Sequence, residues 1–328
     1  MDIAVLGAGS WGTTIAVTLN RNGHKVSLLT HKKEDTEEIL KENENKRLLP
    51  GIKLSKNILI THEMETALKD AQMVVVAVPS IAVREVIAKA SAFLNDNQII
   101  VNASKGFEEA TLQTLSQVIK EVVPKCRVGV LSGPVHAEEL AKELPAACVA
   151  SAEDENIALA IQDAFMNSYF RVYVNNDPIG VEISAAFKNI IALAAGIADG
   201  IGYGDNAKAA LMTRGAKEVA LLGVAMGASE NTFYGLSGLG DLIVTCTSMH
   251  SRNRRAGILL GKGLKLEEVL VKIGMVVEGV NSATSAGKLA EKYQVDMPII
   301  KEINEVLFKG KDPKQAVEEL MTREKTKE

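Results

Sequence analysis

Lys188 stands inside Ala185-Ala186-Phe187-Lys188-Asn189-Ile190-Ile191-Ala192-Leu193-Ala194-Ala195-Gly196, a long apolar run of helical period. Burying an unpaired ammonium is costly, so this lysine needs a reason to be there. Either it snorkels to solvent, or it is a desolvated general acid/base with a shifted pKa. Asp241, in Ser237-Gly238-Leu239-Gly240-Asp241-Leu242, could pair with a lysine or cap a helix. Lys105 is a cation flanked by Ser104 and Gly106 in a loop after a strand, a place where loops carry ligands. Ser251-Arg252-Asn253-Arg254-Arg255 puts three arginines into the first turn of a helix, with Ser251 or Asn253 as its cap. Cations there oppose the helix dipole, and a bound phosphate would offset this through guanidinium contacts and free N–H groups. These residue types suit proton transfer on a phosphorylated substrate, with no metal required.

A second chemistry opens the chain. The strand Ile3–Leu6 enters Gly7-Ala8-Gly9-Ser10-Trp11-Gly12, and Ile15, Ala16 and Leu19 follow with helical spacing. This is the dinucleotide-binding fingerprint in the context it requires. Gly7 would allow the tight turn, Gly9 would let the backbone approach a pyrophosphate, and Gly12 would let helix and strand pack closely. The bland alternative is a strand-to-helix turn whose glycines serve packing only.

The second strand, Val26-Ser27-Leu28-Leu29, ends in Thr30-His31-Lys32-Lys33 and shows no carboxylate at its tip. Such a carboxylate usually binds the ribose diol of NAD, whereas His31, Lys32 and Lys33 suit a 2′-phosphate. NADP(H) is favoured over NAD(H), with tolerance of both left open. A solvated basic turn is the simpler reading of the same residues.

These groups must be positioned by an alternating framework. Strands are expected at 3–6, 25–29, 58–61, 73–78, 98–101, 127–131, 146–151 and 170–174. Helices are expected between them at 10–22, 34–43, 63–70, 81–91, 110–122 and 154–166. That rhythm predicts an α/β Rossmann-type domain with a parallel-rich, doubly wound sheet. Ligands of such folds bind beyond the carboxyl ends of the strands. Val78-Pro79-Ser80, Asn102-Ala103-Ser104-Lys105-Gly106 and Ser132-Gly133-Pro134-Val135-His136-Ala137 fall there, with His136 read as a capping or packing residue. The pattern changes at Asp177-Pro178, a helix cap followed by a first-turn proline. Beyond it only helices are expected, at 179–199, 206–226, 252–261, 266–273, 281–293, 298–307 and 313–321. The domains expected are therefore 1–177, for the dinucleotide, and 178–328, all-α, for substrate and dimerisation. The charged tail 324–328 is expected to fray.

Composition narrows the class. Apolar residues make up 47% and charged residues 24% of the 328, with a formal net charge of −4. That charge argues against a general nucleic-acid partner and against an RNA patch at the arginines. No segment approaches roughly 18 uninterrupted apolar residues, so membrane insertion is not expected. Met1-Asp2 leads straight into the first strand, with no basic region of a signal peptide. Cys126, Cys148 and Cys246 are far apart and lack metal-type spacing, which suits free thiols in a reducing cytoplasm.

The whole pattern resembles bacterial NAD(P)-dependent glycerol-3-phosphate dehydrogenases. The matching pieces are the opening glycine turn, Ser104-Lys105-Gly106, Ser132-Gly133-Pro134, Lys188-Asn189-Ile190-Ile191-Ala192, Gly204-Asp205-Asn206, Thr213-Arg214-Gly215, Gly238-Leu239-Gly240-Asp241-Leu242, Ser251-Arg252-Asn253-Arg254-Arg255 and Val277-Glu278-Gly279. They run in order over nearly the full chain. The resemblance implies interconversion of sn-glycerol 3-phosphate and dihydroxyacetone phosphate in a cleft between the two domains. It also implies a cytoplasmic homodimer that feeds phospholipid synthesis. It places cofactor contacts on Ser10, Trp11, His31, Lys105, Ala137, Arg252, Val276 and Glu278. Substrate contacts fall on Lys105, Gly133, Lys188, Asp241, Ser251, Arg252 and Asn253, with Lys188 as the proton-transfer group. Val135-His136 departs from the family, which usually has a small hydroxyl residue and then an aromatic one. Two other readings remain: a related 3-hydroxy or 2-keto acid reductase, and a non-catalytic NAD(P)H sensor. The first would not need so many cations for one carboxylate. The second would leave Lys105, Lys188 and Asp241 without a shared purpose.

Overall fold

A computed structural model describes residues 1–325; the last three residues of the charged tail, 326–328, lie outside the described residues. Ten strands form among the described residues: β1 Asp2–Leu6, β2 Lys25–Leu29, β3 Ile58–Thr61, β4 Met73–Val76, β5 Ile99–Asn102, β6 Phe107–Glu108, β7 Gln113–Thr114, β8 Arg127–Ser132, β9 Ala146–Ser151 and β10 Phe170–Asn175. Eight of them make one sheet in the order β10-β9-β8-β5-β4-β1-β2-β3. Neighbours run parallel except β8 and β9, which are antiparallel.

The strand sequences explain why both faces of the sheet are covered. Ile3, Val5, Met73 and Val75 pack into one apolar cluster, while Ala4, Leu6 and Val74 pack into a second. Val76 and Ile100 join a third. Successive side chains point to opposite faces, so a continuous apolar run demands helices on both sides. The chain winds outward in both directions from β1, which lies between β2 and β4. Such a reversal opens a crevice at the carboxyl ends of the strands, where ligands bind.

The chain divides by its own contacts into two units: Met1–Glu108 with Gln113–Glu182, and Glu109–Leu112 with Ile183–Glu328. The division falls inside the helix Pro178–Ile201 rather than at its start. The expected cap is nonetheless formed, since the Gly180 N–H donates to Asp177 Oδ1 at 2.9 Å. In the second unit the described residues contain helices and turns but no strand.

Two local expectations need correction. The helix expected at 110–122 begins only at Leu115, because Phe107-Glu108 and Gln113-Thr114 pair as a small hairpin. Thr114 then caps the helix reciprocally with Gln117. Strand β4 stops at Val76 rather than Val78, where the chain turns toward Pro79. The helix Pro178–Ile201 is long and apolar enough to cross a membrane, with mean hydropathy 1.5 over a window that is 100% buried. Glu182, Ser184, Lys188, Asn189 and Asp199 keep it from being an uninterrupted apolar run.

Candidate active site

In the first unit the glycine turn sits at the carboxyl end of β1. Gly7 adopts φ +109°, and a side chain there would meet the Ala77 carbonyl oxygen at 2.7 Å. A Cβ on Gly12 would fall 1.9 Å from the Gly7 carbonyl oxygen, so the helix Ser10–Arg21 can start here only because Gly12 has none. Gly9 differs: a Cβ there would meet nothing within 4 Å. Gly9 is also the N-cap of the helix and supplies no side-chain capping bond. Open space before an uncapped helix start fits a pyrophosphate, which the first N–H groups can hold. Asn45 fixes the turn by donating to the Ala8 carbonyl and Thr13 Oγ1, both at 2.9 Å. Trp11 packs on the apolar core, and its buried indole N–H has no hydrogen-bond partner among the described residues.

At the tip of β2, Thr30 is buried and shares a 2.6 Å hydroxyl contact with Thr36. His31, Lys32 and Lys33 are exposed there, and Lys33 pairs with Glu37 at 3.7 Å. His31 and Lys32 thus stand where the ribose end of a dinucleotide is read.

Asn102 ends β5 and shapes the next turn. Its Oδ1 accepts from the Ser104 N–H at 3.0 Å, and its Nδ2 donates to the Ser104 carbonyl at 3.2 Å. Ser104 Oγ donates to the Val78 carbonyl at 2.7 Å, tying the turn to the chain after β4. Lys105 Nζ then reaches the Gly133 carbonyl at 3.3 Å, so two expected substrate residues meet. Gly133 must lack a side chain because its Cβ would lie 2.7 Å from Cys148 Cα. Ala137 is buried at the start of the helix Ala137–Ala141, and its carbonyl accepts from Thr14 Oγ1 at 3.1 Å. His136 occupies the N-cap position but makes no side-chain capping bond, so the capping half of its reading is not realised.

In the second unit Lys188 and Asp241 are brought together as the sequence reading expected. Lys188 Nζ lies 2.6 Å from Asp241 Oδ1, with side-chain exposures of 9% and 2%. Burial of both charges makes the pairing obligatory. Thr245 completes the arrangement: its Oγ1 accepts from Lys188 Nζ and donates to the Asp241 carbonyl, each at 2.6 Å. Asp241 is the first residue of the helix Asp241–Thr247 rather than its cap. It follows a π-helical turn, Leu236–Gly240, in which Gly238 passes so close to the Phe233 carbonyl that a Cβ would lie 2.0 Å away.

The arginine cluster resolves into different duties. Ser251 caps the helix Arg252–Gly261 by accepting from the Arg254 N–H at 3.2 Å. Arg254 pairs with Asp199 at 2.7 Å, and Lys208 shares that carboxylate at 2.7 Å. An internal partner therefore accounts for Arg254, and no bound anion is needed to explain it. Arg252 extends to the Val276 carbonyl at 2.9 Å. Asn253 is turned inward, donating to Asn189 Oδ1 at 2.9 Å and accepting from the Gly279 N–H at 2.8 Å. Glu278 begins the neighbouring helix, Glu278–Tyr293.

Glycines bring this helix to the lysine helix. A Cβ on Gly196 would lie 2.2 Å from the Arg254 carbonyl oxygen, and one on Gly257 would lie 2.1 Å from that of Leu193. Gly200 and Gly261 make the same close approach one turn along. Sequence reasoning missed Asn45 and Thr245. Thr245 carried one signal, its i+4 position from Asp241 on one helix.

Residues 2–158 match the model of the N-terminal domain of NAD-dependent glycerol-3-phosphate dehydrogenase, and residues 177–318 match that of its C-terminal domain. The chain belongs to this family. An NAD(P)+ glycerol-3-phosphate dehydrogenase of Fusobacterium nucleatum is 52% identical over 327 residues, covering 99% of this chain and 98% of the relative. One of a Thermoanaerobacter species is 53% identical over 328 residues, covering 100% and 99%. The crystal structure of glycerol-3-phosphate dehydrogenase from Coxiella burnetii superimposes with a TM-score of 0.95 at 36% identity, covering 98% of this chain and 99% of that one. Family membership and the Lys188–Asp241–Thr245 cluster point to the same chemistry.

Proposed function

We propose that this chain interconverts dihydroxyacetone phosphate and sn-glycerol 3-phosphate with NAD(P)H. The observation that carries the reading is the buried Lys188 ammonium, held by Asp241 and Thr245 in a member of this family. A bound nicotinamide cofactor would supply the hydride to the C2 carbonyl. Ser10, Trp11 and the N–H groups after Gly9 would hold its pyrophosphate. Lys188 gives the proton to the C2 oxygen in reduction and accepts it in oxidation. Asp241 balances its charge, and Thr245 fixes its direction. Lys105 supplies a cation of the kind that polarises a carbonyl oxygen. Arg252 grips the phosphate with the first N–H groups of its helix, while Ser251 and Asn253 hold that turn in place.

His31 and Lys32 support a preference for NADP(H) over NAD(H). The first unit serves the dinucleotide, and the helical unit serves the triose phosphate and joins a second copy. Ala137, Val276 and Glu278 stay with the cofactor, Gly133 with the substrate. Three free cysteines suit the cytoplasm, where the product would feed phospholipid synthesis.

The test is oxidation of NADPH and of NADH with dihydroxyacetone phosphate, followed by absorbance. Turnover is expected, faster with NADPH. Lys188→Ala should lower kcat at least ~100-fold in folded protein. Retention of near-normal kcat would sink the assignment of Lys188.

A further inference from the structure

Glu182 is a buried carboxylate, 4% exposed, that the reaction as described does not use. Every group directed at it is a donor. Its Oε1 accepts from Asn102 Nδ2 at 2.7 Å and from the Ser116 N–H at 2.9 Å. Its Oε2 accepts from Ser116 Oγ, and the Thr114 hydroxyl adds a further hydrogen bond. Burial pushes its pKa up, and these bonds pull it back. A buried carboxylate needs such donors, and here they come from the end of β5 and a helix start.

The consequence lies at Asn102. One N–H of its amide goes to Glu182 and the other to the Ser104 carbonyl, while its oxygen takes the Ser104 N–H. The amide is fully used, and it is used in one orientation. Rotated by half a turn, it would present its oxygen to the Glu182 carboxylate and its NH2 to the Ser104 N–H, two repulsive contacts. Glu182 thus adds to the Ser104 bonds in fixing which way the amide faces, and the amide shapes the turn that carries Lys105. Lys105 follows Ser104 directly, and Ser104 is held again at the Val78 carbonyl.

We propose that Glu182 is a positioning residue for the reaction, setting the Lys105 ammonium through the chain Glu182–Asn102–Ser104. The proposal rests on the functional reading given for Lys105. Misplacement of a catalytic group by about 1 Å can cost on the order of 100-fold. The Ser116 hydroxyl on Oε2 can reverse its bond and accept from an NH2, so glutamine can replace Glu182 without turning Asn102.

The experiment is a double-mutant cycle between Glu182→Ala and Lys105→Ala, with Glu182→Gln alongside, reading kcat and KM for dihydroxyacetone phosphate. Glu182→Ala should lower kcat/KM about 10- to 100-fold where Lys105 is present, and less than about 3-fold where it is alanine. Glu182→Gln should restore activity to within about 5-fold of wild type. Should Glu182→Ala not fold, Asn102→Ala takes its place in the same cycle and is expected to show the same non-additivity. Equal losses in both backgrounds, or no loss at all, overturn the proposal while leaving the functional reading intact. A wild-type protein that does not turn over dihydroxyacetone phosphate, or a Lys105→Ala enzyme as active as wild type, overturns that reading and this proposal with it.

Discussion

Thr245 Oγ1 lies 2.6 Å from the Lys188 ammonium and has already committed its own hydrogen to the Asp241 carbonyl. The hydroxyl can therefore only accept from the lysine. Together with Asp241 Oδ1 it draws two N–H bonds into the protein and constrains where the ammonium points. Thr245→Val keeps the shape and removes the acceptor. Hydrogen bonds to charged groups contribute about 1.5–3 kcal/mol, so kcat should fall roughly 10- to 100-fold. Thr245→Ser should recover most of it. A valine enzyme with unchanged kcat would show that Asp241 alone orients Lys188.

Gly9 and Gly12 should fail in different ways. Gly9 has open space around its missing side chain, whereas a Cβ on Gly12 would strike the Gly7 carbonyl. Gly9→Ala is expected to fold with a near-normal melting temperature and to weaken NAD(P)H binding, read by nucleotide fluorescence. Gly12→Ala is expected to destabilise the first unit itself. Equal melting temperatures for the two variants would contradict this division.

Arg252 and Arg254 are two residues apart but should separate cleanly. Arg252→Ala should raise KM for the phosphorylated substrate with little change in melting. Arg254→Ala leaves Asp199 with Lys208 alone in a half-buried place and should cost about 1–3 kcal/mol of stability. Denaturant unfolding and steady-state kinetics on both variants decide the matter. The idea fails if Arg254→Ala raises KM more than Arg252→Ala does.

Glu218 makes stability depend on pH. Its carboxylate accepts from the Ile299 N–H at 2.9 Å and the Ile300 N–H at 3.2 Å, at the start of the helix Pro298–Phe308. Burial pushes its pKa from 4.5 up to about 7. The folded state thus holds this proton more firmly than the unfolded chain. The contribution is fully present below about 4.5 and is lost as pH rises through about 7. Glu218→Gln removes the titration. Relative to wild type, the variant should gain on the order of 3 kcal/mol between pH 4.5 and pH 8. Parallel stability curves for the two proteins would refute it.

Much of the fold was legible because local signals and burial agree. The glycine turn lies between a strand and a helix, as its residues demand. The helices Arg252–Gly261, Leu266–Ile273 and Pro313–Met321 fall where their period and caps place them. The hairpin of β6 and β7 was not legible, because two-residue strands leave no period to read. The helix Ala137–Ala141 is too short to show one. At the site, Lys188 and Asp241 were legible because a charge in an apolar run calls for a partner. The ties of Asn253 to Asn189 and Gly279 were not legible, since they join distant parts of the chain. Arg254 was misread for the same reason: its carboxylate belongs to the helix Pro178–Ile201.

Where Gly196 and Gly200 meet Gly257 and Gly261, main chain lies on main chain. No rotamer stands between the two helices to lengthen or shorten the gap. The span from the Lys188 ammonium to the start of the arginine helix is thus a gauge cut into the backbone. On the roles proposed for Lys188 and Arg252, a keto phosphate with an extra carbon between carbonyl and phosphate is expected to bind less well. The fixed spacing of the two helices is then a property of four absent side chains.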